Sequence, residues 1–157
     1  MPGLDPWWYA GGLLALALLA RWLWLLAKAV QVERARELFR LQHERFEEHL
    51  LRAAAATGLP RGLRWVGCRI TGDALLVRDR VNGGIVALVP VEVRFEPEDD
   101  SDMRENPAAR EPRPATAVFA YHRGTWTTAG RVVFNHTPEQ TVATFAPQFR
   151  VIPPGHH

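Results

Sequence analysis

The chain has 157 residues, 47% of them hydrophobic, a formal net charge of +2 at pH 7 and one cysteine, Cys68. The net charge is small, and nothing in the sequence resembles the concentrated basic face of a nucleic-acid binder. A single cysteine excludes an intramolecular disulfide framework and fits a reducing compartment. Lys28 is the only lysine among the basic residues, and with the abundant alanine this arginine bias points to a GC-rich bacterial source.

Trp7 to Ala27 (WWYAGGLLALALLARWLWLLA) is a 21-residue apolar run with one charge, Arg21. At ~1.5 Å per residue such a helix spans the ~30 Å core of a bilayer. Trp7, Trp8 and Tyr9 at one end and Trp22 and Trp24 toward the other match the aromatic belts of a membrane span. A central arginine costs roughly 2.5–3.5 kcal/mol on insertion, and leucines at roughly −0.3 to −0.6 kcal/mol each offset it. Arg21 also precedes Lys28 by about two turns, so it can snorkel to the same interface. Only Asp5 and the amino terminus precede the run, whereas Lys28, Arg34, Arg36 and Arg40 follow it. The positive-inside rule then places the following part in the cytoplasm of a single-pass protein of the bacterial inner membrane. Ala27-Lys28-Ala29 matches a signal-peptidase site, but the cationic leader a signal peptide requires is replaced by one carrying Asp5.

From Lys28 to Thr57 the composition predicts one unbroken helix, closed by Gly58-Leu59-Pro60. Val32, Ala35, Phe39, Gln42, Phe46 and Ala53 form a broken heptad-like stripe, widened by Leu38 and Leu50. Polar Gln42 and His49 argue against a long dry coiled coil and favour an amphipathic stalk partly docked on a sheet. Val32, Ala35, Leu38 and Phe39 are then the candidate surface for a partner helix. Glu33, Arg34, Glu37, Arg40, Glu44, Glu47 and Glu48 define the opposite face, with Glu37 spaced to pair with Arg40. His43 and Glu47 share a face, but the segment is not H-E-x-x-H and reads as a solvated surface.

The remaining chain is strand-like. Arg64–Ile70, Leu75–Arg80 and Ile85–Phe95 are predicted strands, the last two joined by a hairpin at Asn82-Gly83-Gly84. Ile85, Ala87, Val89, Val91, Val93 and Phe95 form a period-2 apolar face, while Glu92, Arg94 and Glu96 predict that the other face meets water. Pro90 cannot donate to a ladder and predicts a bulge or an edge. Residues 97–114 are acidic, proline-containing and aperiodic, and predict a mobile loop. Its carboxylates (Glu98, Asp99, Asp100, Asp102, Glu105) lack the spacing of a Ca²⁺ loop. Ala115–His122 and Thr125–Phe134 predict a second hairpin around Arg123-Gly124, with Phe119, Tyr121, Trp126, Val132 and Phe134 on its buried face and a bulge at Gly130. Thr137-Pro138-Glu139-Gln140 has capping-box spacing and predicts a short helix ended by Pro147. His156-His157 is too short to read as a metal site.

The expected division is an anchor (1–27), a helical stalk (28–57), a sheet domain (58–147) and a tail (148–157), of α+β class. A long helix followed by about five antiparallel strands resembles cystatin-like and NTF2-like domains, in which a curved sheet wraps a helix. The aromatic hairpin Phe119 to Trp126 is similar to their closing hairpin. The cystatin-like form fits better, because the three-helix start of NTF2-like domains is missing. The stretches ERARELFRLQHERFEEHLLRAAAATGLPRGLRW, RDRVNGGIVALVPVEVRFE and ATAVFAYHRGTWTTAGRVVFNHTPEQ resemble an uncharacterised family of bacterial single-pass membrane proteins. That resemblance implies an architecture and assigns no functional residue.

No convergent acid, base and nucleophile set stands out, and no cofactor or metal signature is present in the sequence. Cys68, on an apolar-leaning strand, reads as a small core residue. The expected function is a membrane-anchored, non-enzymatic interaction or scaffold protein. Its expected partners are the lipid bilayer and another membrane protein, or a second copy, reached through the stalk. The alternative is a small-molecule binding module with a pocket between helix and sheet. An enzyme would have to draw on His122 and His136 beside Asp73 or Asp79.

Overall fold

Helix α1 runs from Pro6 to Leu41 and α2 from His43 to Ala56 in the computed structural model, which describes residues 6–58, 60–99 and 102–154. Seven strands follow: β1 (Leu63–Ile70), β2 (Leu75–Asp79), β3 (Ile85–Pro97), β4 (Arg113–His122), β5 (Thr125–Thr127), β6 (Val132–Phe134) and β7 (Phe149–Val151). A short helix α3 (Pro138–Thr144) lies between the last two. The class is α+β. The chain divides into two compact units, residues 1–34 and 35–157.

In the first unit the side chains of Trp7, Trp8, Leu13 to Leu19 and Trp22 to Leu26 that are large and apolar are all exposed. Here α1 is long and apolar enough to cross a bilayer, which is consistent with a membrane anchor. The Lys28 ammonium lies over the Trp24 ring one turn earlier, 3.4 Å from its centroid. The indole thereby shields a cation that closes the apolar run.

In the second unit β3 is the axis of the sheet. One edge pairs with β2 over Ile85–Leu88 and then with β1 over Val91–Pro97. The other edge pairs with β4, from Ile85 opposite Tyr121 to Val93 opposite Arg113. Pro90 stands where the partner changes from β2 to β1, and its carbonyl accepts the Thr71 N–H at 2.9 Å. The missing proline donor therefore falls where no ladder needs it. β5 and β6 follow one another along the far edge of β4, and β7 extends β2.

The predicted single strand Thr125–Phe134 is two. Gly130 separates them with φ +76, and a Cβ there would lie 2.5 Å from the Ala54 nitrogen and 2.6 Å from the Ala53 carbonyl. Only glycine lets this turn pass so close to the α2 backbone. Residues 149–151 of the expected tail pair with β2, from Val77 opposite Val151 to Asp79 opposite Phe149, and Phe149 is buried. The short helix forms with the predicted capping box: Thr137 accepts the Gln140 N–H while the Gln140 side chain accepts the Thr137 N–H.

The expected unbroken helix is interrupted at Gln42, whose φ −106 and ψ 14 leave the helical range. Neither Gly nor Pro stands there; the aromatic packing accounts for the break. A straight helix separates positions seven apart by about 10 Å along its axis. With the break, the Phe39 and Phe46 rings pack 4.6 Å apart, and both reach Phe119, at 5.9 and 5.1 Å. The segment from Ala35 onward thus belongs to the sheet unit and is not a free stalk.

The sheet buries both faces along its first half. Phe39, Phe46, Leu50 and Ala54 cover the period-2 face of β3 and β4. On the reverse side Val77, Val86, Leu88 and Phe149 form a second core, with Val118 of β4 and Val142 and Phe145 from α3 and its end packed against it. The expectation that this side meets water holds only beyond Pro90, where Arg94 and Glu96 are exposed and Glu92 is partly so. The aperiodic segment 97–114 contains two 3-10 turns, Asp102–Glu105 and Pro107–Arg110, and Ala109 is buried. Asn106 caps the second turn by accepting the Ala108 N–H at 3.0 Å.

Candidate functional site

Aromatic side chains fill part of the space between helix and sheet. Phe39 and Trp126 meet edge to face at 5.2 Å, and Trp126 packs on Tyr121 at 5.1 Å. At the opposite end Trp65, Phe95 and Phe134 form a second cluster, with centroids 4.8 to 6.1 Å apart. Such rings are close-packed, and they leave no ligand-sized gap along the contacts they make.

Of the four residues expected to face a partner helix, Ala35 and Phe39 are buried and Leu38 is half-buried, while Val32, in the first unit, is also buried. At Ala35 and Phe39 the partner is the unit's own sheet. Helical periodicity carries no information on what covers an apolar face.

A groove opens beside this packing, with a volume of about 350 Å³. Arg36, Phe39 and Arg40 of α1 form one wall, and Asp73, Leu76 and Pro154 contribute the others. Arg36 donates to the Pro153 carbonyl at 3.2 Å, which ties the C-terminal segment to the helix. The groove therefore offers an apolar floor, two guanidinium groups and one exposed carboxylate. That set suits a ligand with an apolar body and polar ends. The sequence suggests a pocket between helix and sheet as an alternative but does not name its residues, because its walls come from separate segments that share no period. The Gly72-Asp73 turn and the Pro153-Pro154 pair were the only local signals.

Of the residues an enzyme would draw on, Asp79 and His136 make local hydrogen bonds. The Asp79 carboxylate accepts the Val81 N–H at 2.8 Å inside the β2–β3 turn. The His136 Nδ1 lies 2.9 Å from the Phe134 carbonyl. His122 is exposed at the end of β4, and Asp73 lines the groove. Among the described residues no group of three or more His, Cys, Asp or Glu side chains gathers to hold a metal. His156 and His157 lie outside the described residues, as does the His43 side chain. Glu47 accepts the backbone N–H of Ile70 at 2.8 Å, so it satisfies a donor of the edge strand β1. Burial, with the Glu47 charge added, pushes the Cys68 thiol up to about 12, so it stays protonated at neutral pH.

Comparison with protein-family models, with curated proteins and with solved structures gives no match, so the functional reading rests on the residues of this chain alone.

Proposed function

We propose that this chain is a membrane-anchored, non-enzymatic recognition protein that presents its sheet unit to a macromolecular partner. The observation that carries this reading is the ring packing of Phe39, Phe46, Phe119 and Trp126 between helix and sheet, which leaves the open groove at its margin for recognition. The apolar, Trp-flanked half of α1 supports the bilayer as the anchor's partner. The excess of arginine after that half supports a cytoplasmic sheet unit in a bacterial inner membrane. A helix packed across one face of an antiparallel sheet supports a cystatin-like relationship. The groove at Arg36, Arg40 and Asp73 is the docking point, with polar groups for orientation and Phe39 and Leu76 as floor.

The groove also favours a second reading, in which it holds a small molecule. Native mass spectrometry of the full chain, extracted from its own membrane in mild detergent, separates the two. Recognition of a macromolecule predicts a co-extracted protein in fixed stoichiometry that is lost with Asp73→Arg. A monomer carrying a bound mass of a few hundred daltons, lost with Asp73→Arg, would replace this reading with the second.

A further inference from the structure

The sheet pairs its charges differently along its two edges. In the β1–β3 ladder Arg64 stands opposite Glu96 and Arg69 opposite Glu92, and both pairs form salt bridges, at 2.8 and 3.4 Å. In the β2–β7 ladder Arg78 stands directly opposite Arg150. Arg80 follows one turn of the pleat later, and its backbone N–H donates to the Gln148 carbonyl at 2.8 Å, prolonging the same pairing. Like charges directly opposite destabilise a strand pair. The pairing strand here is only three residues long. It has little ladder with which to offset that repulsion.

No acid in the described residues relieves it. Arg78, Arg80 and Arg150 form no salt bridge among the described residues. Asp79, the one carboxylate alongside, accepts the Val81 N–H. Arg78 donates one N–H to the Gly83 carbonyl at 2.9 Å, which fixes its guanidinium at the turn, and its other donors have no partner among the described residues. Together these residues border an open cavity of about 300 Å³.

We propose that this cavity is a binding site for a phosphate group, held by Arg78, Arg80 and Arg150. Guanidinium forks match the oxygens of a tetrahedral oxyanion in bidentate geometry. A phosphate monoester carries roughly −1.5 to −2 charge at pH 7 and the phosphodiester of a lipid headgroup about −1, and both present to the three cations the oxygens that guanidinium forks match. The bound anion replaces the repulsion across β2 and β7 with attraction to both. The site shares no lining residue with the Arg36–Asp73 groove, so its failure would leave the recognition reading standing.

The test is thermal unfolding of the full chain in uncharged detergent micelles, with inorganic phosphate or chloride at matched ionic strength. A parallel arm uses bilayer discs of phosphatidylcholine with or without phosphatidylglycerol. A rise in Tm with inorganic phosphate assigns the site to a free phosphate-bearing solute. A rise only in phosphatidylglycerol discs assigns it to a lipid headgroup. Arg150→Gln should raise Tm without phosphate, because it removes the repulsion, and should weaken the response to phosphate or phosphatidylglycerol by about tenfold, as expected for losing one charged hydrogen-bonding partner. Arg80→Gln, at a position with no cation directly opposite, should weaken that response with the phosphate-free Tm unchanged. No rise in either arm, or a rise that both variants retain, would overturn the proposal. So would a fall in the phosphate-free Tm of Arg150→Gln.

Discussion

The indole Nε1 of Trp126 donates to the backbone carbonyl of Ala35 at 2.9 Å, a buried bond between residues 91 positions apart. It ties the β4–β5 hairpin to the first residue of the second unit. A helical carbonyl has two lone pairs, so Ala35 can accept this bond without giving up its helical one. Trp126→Ala loses both ring packing and the bond and should cost roughly 3–5 kcal/mol. Trp126→Phe keeps a ring against Phe39 and Tyr121 and should cost about 1–2 kcal/mol for the lost bond and volume. Equilibrium unfolding of both variants checks the order.

Gly130 should tolerate no side chain. Its positive φ and the approach of the α2 backbone act together. Gly130→Ala should destabilise by roughly 3 kcal/mol, combining backbone strain with overpacking. A Tm equal to that of the parent would show that the turn does not press on Ala53 and Ala54.

Phe39 and Leu41 test what covers the helix. Phe39 is 6% exposed and Leu41 76% exposed, although both are apolar residues of the same turn region. Phe39→Glu places a charge among Phe46, Phe119 and Trp126 and should unfold the sheet unit, since an unpaired buried charge costs several kcal/mol. Leu41→Glu should change stability by about 0.5 kcal/mol or less. Circular dichroism of both variants reads the difference. A folded Phe39→Glu protein would restore the free stripe that helical periodicity suggests.

Cys68 should alkylate slowly. With its thiol at about 12 against an ordinary 9.0, the thiolate fraction near pH 8 falls about a thousandfold. The folded state holds this proton more tightly than the unfolded one. The associated stability is therefore complete below about pH 9 and is lost as pH rises toward 12. Iodoacetamide labelling of native and denatured protein across pH 7–10 checks the first point, and unfolding at alkaline pH checks the second.

Much of this architecture was legible because alternation and turn chemistry are local. Asn82-Gly83-Gly84, the Thr137 capping box and the apolar face of β3 each announce themselves within a few residues. The break at Gln42 was not legible, since nothing in Leu38 to Arg45 forbids a helix; rings packed on Phe119 demand it. β7 escaped because three residues, Phe149 to Val151, are too few to show a period. The strand split at Gly130 and the Arg36–Asp73 groove escaped for a related reason. Each is defined by a distant segment: the α2 backbone in one case, Pro153 and Pro154 in the other.

The most direct test of the ring packing between helix and sheet is xenon binding to the full, isotope-labelled chain, followed by the methyl resonances of Val89, Val91 and Ala117. These residues line the buried face of β3 and β4 beneath the helix. A close-packed interface has no room for a xenon atom. No xenon-dependent shifts are expected at these methyls. Saturable shifts there, with a matching rise in Tm, would reveal an interior apolar cavity and contradict a unit that recognises its partner by its surface.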